Sequence, residues 1–567
     1  MAAPPKDARR RFDALFPYAL VGLIVAAYAA SMRGKFVWDD RATIVNNESL
    51  HDLTGLARIW TDPHASQQYY PLNYASLWLN YQLGDLDPFG YHLVNVALHA
   101  TTAVLFWLVL RRLAVRGAAL AAGLFALHPL NVESVAWVTE RKNVLSGALA
   151  LGACLAYLAY DETTARGDRR AWRSWALAFG LFVLGLAAKT TISVLPAALF
   201  VGLVALRGRE LRRAVVPLVP FLLAGIAGGL MTASLERSLV LALGPEFAWS
   251  FPFRVVLAGR AYWFYLAKLV APFDLMFFYP RWSIDPGSAV DWLFPLAALG
   301  QLAALVALRG RIGLRPLAAM LAYSVLIFPA LGFFNVYFMR FAFAQDHFQY
   351  LAGMPVLALV AAGADLGLEK VLVFAVSRAA PDARRRKRRA SPATRARELA
   401  SRLRVPLGGV AMAALAVASA SKSLAFRDYE TLFLTALEKN QDAWVASFNL
   451  GVFYREQGRY DQAFPLYREA LRVRPDDPDL VLNYGGVLAE SGNLGLALPV
   501  LEKAVRLRPD HATTRLDHAT ALEQAGRGDD AVAECLEALR IQPGWPRAQR
   551  QLVHLLASRP QGAGPAR

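Results

Sequence analysis

Apolar runs recur along the chain up to residue 421, each followed by a short polar or basic segment, and none of that length occurs afterwards. Eleven of them are predicted to cross a bilayer as helices: 15–32, 89–110, 118–130, 143–160, 174–188, 191–206, 214–232, 290–308, 316–333, 351–376 and 405–421. A further apolar stretch, 254–271, contains Arg254, Arg260 and Lys268. It is predicted as a re-entrant or interfacial helix whose cationic tips reach the headgroup level. Basic clusters at 6–11, 111–116, 166–173, 207–213, 309–315 and 378–404 separate pairs of spans. The excess of cations in cytoplasmic loops assigns all six to the inner side. The N-terminus is then cytoplasmic, with its first apolar run retained as a span, and everything after 421 is outside.

The period changes after the last span. Pro475, Pro509 and Pro543 are 34 residues apart, and the same interval separates Gly458, Gly492 and Gly526. Ala463, Ala497 and Ala531 keep that register, as do Ala470, Ala504 and Ala538. Small residues where two helices cross, with proline after the second helix, form the tetratricopeptide pattern. Such arrays present a concave groove for peptide or protein, and this one contains no catalytic arrangement. The expected organisation is an all-α chain. A polytopic membrane domain occupies 1–377, a basic cytoplasmic linker 378–404, a last span 405–421, a repeat solenoid 422–559 and a disordered tail 560–567.

Composition narrows the function classes. The chain has 567 residues, 56% of them hydrophobic, which is too apolar for an ordinary soluble protein. The net charge of +17 comes from arginines in short inter-span segments, as cytoplasmic membrane loops require, so nucleic acid is not an expected partner. The run 384–389 in the linker is read as a contact with anionic lipid. Two cysteines, Cys154 and Cys535, exclude a disulfide framework.

The candidate chemistry lies in the segments assigned to the outer side. Asp39 and Asp40 follow the first span as an adjacent acid pair, with little structural reason to sit at the mouth of a membrane domain. Mutual repulsion should raise the pKa of one of them unless a cation or a divalent metal lies between. A helix over 72–83 is predicted on the membrane surface, with its aromatic neighbours mainly anchoring at the interface. In the second outer loop Glu133, Trp137 and Glu140 are predicted on one helix face, followed by Arg141 and Lys142. Lys189, Arg281 and His347 complete the outward set. A carboxylate can serve as general base for a hydroxyl nucleophile, and cations can stabilise a leaving phosphate. No third carboxylate stands at metal-ligand spacing to the pair.

The ordered motifs are 36–40 (Phe-Val-Trp-Asp-Asp), 70–72 (Tyr-Pro-Leu), 128–136 (His-Pro-Leu-Asn-Val-Glu-Ser-Val-Ala) and 346–351 (Asp-His-Phe-Gln-Tyr-Leu), followed by the repeats. Together they resemble the transmembrane and tetratricopeptide repeat-containing O-mannosyltransferases and their bacterial relatives, over nearly the whole chain. That resemblance implies a GT-C membrane glycosyltransferase using a polyprenyl-phosphate sugar, with Asp39 and Asp40 as its catalytic pair and Glu133 as a second acidic position. It implies donor-phosphate contacts at Lys189 and Arg141. Where the family has arginine-proline after the surface loop this chain has Tyr70-Pro71, which leaves no cation there.

The expected function is inverting transfer of a sugar, mannose or another, from a polyprenyl-phosphate carrier to a protein hydroxyl on the outer face of the inner membrane. One of Asp39 and Asp40 is the base. Arg141, Lys142, Lys189, Arg281 and His347 hold the phosphate, and the repeats dock the acceptor or a partner. The rivals are transfer to a lipid or glycan acceptor, and a non-catalytic membrane anchor for a repeat-based scaffold. A transporter fits less well, because few charges lie within the spans.

Overall fold

A computed structural model describes residues 6–238, 245–379 and 392–558. The expected tail 560–567 and positions 380–391 of the expected linker lie outside the described residues. Among the described residues every regular element is a helix. The chain divides into two compact units, Met1–Tyr429 and Glu430–Arg567.

In the first unit, all eleven predicted spans coincide with helices. Eight described helices are long and apolar enough to cross a membrane, or nine if a bent pair counts as one span. The other two are the shorter apolar segment Arg315–Ala330 and the helix Gly353–Ala379, which carries Asp365, Glu369 and Lys370. Helix Ala289–Ile312 buries none of its 24 residues and exposes Leu293, Leu296 and Leu299. At 1.5 Å per residue it is about 36 Å long, enough to cross a hydrocarbon core of about 30 Å.

The bent pair is Ala118–Ala126 with Pro129–Ala136, turned by 45°. Proline disfavours helical geometry in the residue before it, and His128 is accordingly extended, at φ −75° and ψ 127°. A break at membrane depth frees carbonyls that have no water to bond. Side chains satisfy them here. Asn131 Nδ2 donates to Phe125 O at 2.7 Å, His99 Nε2 to Ala126 O at 2.9 Å and Ser419 Oγ to Leu127 O at 2.8 Å. The bend carries the following residues, Glu133 among them, into the protein interior.

Ion pairs link basic residues of three of the six clusters, 111–116, 207–213 and 378–404, to shared acids. Arg111 bonds Asp13 at 2.8 Å, while Arg112 and Arg207 both reach Glu162, at 3.1 and 2.8 Å. Arg209 bonds Asp161 at 2.7 Å, and Arg116 bonds Asp365 and Glu369 at 2.9 and 2.7 Å. Arg397 and Arg404 bond the same two acids. These three clusters are therefore tied to one another, through Glu162 and through Asp365 and Glu369.

The stretch 254–271 forms helix Phe251–Val270, and its cations are anchored on neighbouring backbone. Arg254 donates to Gly332 O at 2.8 Å and Asn335 Oδ1 at 2.8 Å, Arg260 to Ser283 O at 2.9 Å and Lys268 to Phe273 O at 2.6 Å. All three are bonded to protein carbonyls, and Arg254 to an amide oxygen as well. Gly259 faces Pro295, so close that a Cβ there would collide with the proline ring. This helix thus packs directly on Ala289–Ile312.

The surface helix is Pro71–Gly84, with proline at its first turn. Its aromatics are less exposed than interfacial anchoring requires. Tyr70, Tyr74 and Leu77 are buried in one cluster with Ile44, Leu50, Ile59, Tyr91 and Val138. This cluster joins the segment 44–77 to Tyr91 and to the turn Val138–Glu140 that precedes helix Arg141–Ala165.

The second unit begins within helix Tyr429–Lys439 and continues as three helix pairs, from Trp444–Glu456 to Gly528–Ile541, closed by helix Pro546–Ala557. Gly458, Gly492 and Gly526 adopt φ of 70°, 81° and 75°, the left-handed turn that closes each first helix. Ala463, Ala497, Ala531, Ala470, Ala504 and Ala538 are all buried where the helices of a pair cross.

Candidate active site

Asp40 is completely buried and fully engaged. One carboxylate oxygen accepts the Val37 N–H at 2.9 Å, and the other accepts both the N–H and the hydroxyl of Thr139, at 2.7 and 2.6 Å. The side chain therefore clamps the segment after the first predicted span to the turn Val138–Glu140. Asp39 is half-buried, and among the described residues its carboxylate accepts no hydrogen bond. Burial raises its pKa to about 6, with Lys142 pulling down and Glu140 pushing up. Asp40 is raised to about 7, again chiefly by burial, against the bonds from Thr139 and Val37. Both acids are raised, and desolvation rather than mutual repulsion is the leading cause.

The turn that presents Asp39 is strained. Trp38 has φ 41°, in the left-handed region that a bulky side chain avoids. Its ring is held by stacking on Trp137, centroids 5.4 Å apart and planes 18° from parallel, and by the edges of Phe277 and Phe278. Aromatic packing offsets a backbone cost of about 1–3 kcal/mol.

Glu133, Trp137 and Glu140 do not share one helix. Helix Val132–Ala136 ends at Trp137, which is extended at ψ 115°, and a 3-10 turn Val138–Glu140 follows. Asn95 Nδ2 lies within 3.3–3.5 Å of the carbonyls of Val135, Trp137 and Val138 and holds the break. The two glutamates still converge, on His347 from the turn Asp346–Gln349. Glu133 Oε2 accepts His347 Nδ1 at 3.1 Å and the His347 N–H at 3.2 Å, and Glu140 Oε1 is 3.8 Å from Nε2. Burial pushes the imidazole down to about 3, against the pull of Glu140, so the ring is neutral.

Around this bracket stand three lysines. Lys142 Nζ is 2.9 Å from Glu140 Oε1, and Lys189 Nζ is 3.5 Å from Glu140 Oε2 and 2.6 Å from Asn143 Oδ1. Lys422 Nζ bonds Asp346 and lies 3.8 Å from Glu133 Oε1. Three acids, Glu133, Glu140 and Asp346, thus face three lysines, and Asp346 also accepts the Tyr279 hydroxyl at 2.7 Å. Charges so far from water require this pairing. Asp39 stands beside the Lys142–Glu140 end of the row.

Two expected phosphate contacts are engaged elsewhere. Arg141 is completely buried, and its guanidinium donates to four neutral oxygens: Asn95 Oδ1, Ser76 O, Asn80 Oδ1 and Tyr91 O, at 2.9, 3.1, 2.6 and 2.9 Å. It is a structural node that braces the surface helix. Arg281 is exposed, with its guanidinium 4.8 Å from the ring centre of Phe343, part of a separate aromatic cluster with Met339, Leu257 and Phe247. Lys142, Lys189 and His347 converge with Glu133 and Glu140.

Lys422, Thr139 and Asn143 are the site residues that the sequence reading omits. Lys422 immediately follows the last predicted span, 405–421, and its signal is that position, a cation at the end of an apolar run. Thr139 and Asn143 carry no such signal, because they act by hydrogen bonds that only the fold creates. Among the described residues no group of three or more His, Cys, Asp or Glu side chains is arranged to hold a metal ion.

Two family models for the tetratricopeptide repeat match residues 441–510 and 488–554. Protein O-mannosyl-transferase TMTC3 of Mus musculus is 36% identical over 148 residues, 24% of this chain and 16% of that protein. Protein O-mannosyl-transferase Tmtc1 of Drosophila melanogaster is 36% identical over 182 residues, 30% of this chain and 20% of the relative. Protein O-mannosyl-transferase TMTC4 of Mus musculus is 31% identical over 185 residues, 28% of this chain and 25% of the relative. The matched regions thus span no more than a quarter of these relatives. The chain is a repeat-containing relative of proteins named protein O-mannosyl-transferase.

Proposed function

We propose that this chain is a GT-C-type membrane glycosyltransferase that moves a sugar, mannose by analogy with its named relatives, from a polyprenyl-phosphate carrier to a protein hydroxyl. Asp39 is the general base. The acceptor oxygen attacks the anomeric carbon, its proton passes to Asp39, and the carbon–oxygen bond to phosphate breaks with inversion. The departing polyprenyl phosphate gains negative charge, which Lys142 and Lys189 are placed to stabilise. A carboxylate titrating near pH 6 is ionised at neutral pH yet still a useful proton acceptor.

The observation that carries this reading is the half-buried, unbonded Asp39 carboxylate beside the Lys142–Glu140–Lys189 group. The ion-paired basic segments support a topology in which that end is cytoplasmic and Asp39 faces the outer side of the inner membrane, as does the repeat unit. The repeats recruit the acceptor or a partner protein.

The test is an assay of the purified protein in nanodiscs with polyprenyl-phosphate mannose and a serine/threonine peptide, read by mass spectrometry. The wild type should add one hexose. Asp39→Asn should lower the rate by about 10²-fold or more. Undiminished transfer by that variant would sink the proposal.

A further inference from the structure

Lys422 touches neither Asp39 nor the two lysines assigned to the leaving phosphate. It nevertheless closes the row of charges at the far end. Its ammonium bonds Asp346 and stands 3.8 Å from Glu133 Oε1, an oxygen that accepts no hydrogen bond. Glu133 holds both the ring and the backbone of His347, His347 faces Glu140, and Glu140 carries Lys142 and Lys189. The lysine comes from the outer end of the last helix, Pro392–Ser423, and the residues after it are fixed to the same corner. Phe426 packs edge-on to Phe277 at 5.6 Å, and Arg427 O accepts the Lys35 N–H at 2.8 Å.

We infer that Lys422 is a positioning residue for sugar transfer, acting through Glu133 and His347 on the place of Glu140 and its lysines. Removing its charge leaves Asp346 buried without a counter-ion and takes from Glu133 the cation that opposes its protonation. The His347 bracket must then shift or take up a proton, and Glu140 loses the neighbour that sets its position. Lys142 and Lys189 then stabilise the leaving phosphate less well. Because Lys422 acts only through other side chains, its loss should appear in kcat far more than in the donor KM. This inference rests on the transfer reaction proposed above.

The test uses the full chain in nanodiscs with the same donor and peptide. Lys422→Met should lower kcat roughly 10- to 100-fold, the range for members of one charge network, with donor KM within about threefold. Lys422→Arg should recover kcat to within about fivefold of wild type, since the charge is retained. The paired variant Glu133→Gln with Lys422→Met restores the charge balance, so it stays informative if Lys422→Met alone does not fold. Its kcat should be no lower than that of Glu133→Gln. Wild-type kcat in Lys422→Met, or fully additive losses in the paired variant, would overturn the inference while leaving the role of Asp39 standing. An Asp39→Asn protein as active as wild type would remove the reaction and the inference together.

Discussion

Thr139 donates its backbone N–H and its hydroxyl to the same oxygen of Asp40, at 2.7 and 2.6 Å. Two adjacent carboxylates that read alike in the sequence thereby acquire different tasks. Asp40 ties two loops together, and Asp39 is left facing the site.

The division can be measured by comparing amides at the two positions. Asp40→Asn keeps one acceptor oxygen but turns an N–H₂ group toward either Val37 N–H or the Thr139 donors. Leaving buried donors unsatisfied costs about 1–3 kcal/mol, so its melting temperature should fall. Asp39→Asn breaks no hydrogen bond and should melt no lower than wild type while losing transfer. Scanning fluorimetry beside the activity assay distinguishes the two, and equal destabilisation by both would contradict the assignment.

The pH dependence follows from the raised pKa of Asp39. A base must be deprotonated to act, so kcat/KM should rise with pH through about 6 and level off above it. The stability effect has the opposite sign. Between the unfolded value of 3.8 and about 6 the folded protein binds the extra proton, so stability at this group falls as pH rises. Asp39→Asn should therefore be more stable than wild type at pH 7.5, and the gain should shrink on acidification and vanish below the unfolded value of 3.8. A gain that instead grows on acidification would refute the shift.

Arg141 and Lys142 are neighbours in sequence with opposite expected phenotypes. Arg141→Lys cannot reproduce four bonds from a planar fork and should lose about 1–3 kcal/mol of stability, with the donor KM of the surviving protein unchanged. Lys142→Met and Lys189→Met should lower kcat by about 10²-fold through poorer stabilisation of the leaving phosphate. Donor titrations of the three variants decide it, and a raised donor KM in Arg141→Lys would return that arginine to the binding site.

In the repeat unit, Gly492→Ala places a Cβ at φ 81° in open space, so only the backbone is strained. The loss should be about 1 kcal/mol. Chemical denaturation of the full chain, followed by fluorescence from the repeats, should show it. The transfer rate on a short peptide should not change.

Much of this architecture was legible because its causes are local. Bilayer thickness sets the length of the apolar runs, and positive φ at Gly458, Gly492 and Gly526 sets the repeat. The convergence of Lys142, Lys189, Glu133 and His347 followed from putting their segments at one end. Helix periodicity over 133–140 failed because Asn95, from another helix, stabilises a break at Trp137 that no local pattern encodes. The surroundings of Arg141 are hidden for a related reason. A cation beside an acidic motif looks available until Ser76, Asn80, Tyr91 and Asn95 are seen around it. Lys422 fell one residue beyond a segment defined by hydropathy alone.

The bend at His128-Pro129 has a consequence for how the chain is made. One of its freed carbonyls, Leu127 O, is bonded by Ser419, 292 residues further along. During synthesis that oxygen waits in the bilayer for a partner that has not yet left the ribosome. The counter-ion of Glu133 arrives on the same late helix. Insertion of the final helix should thus be the step that completes the charge row, and a nascent chain stalled before it should hold Glu133 and Asp346 without Lys422.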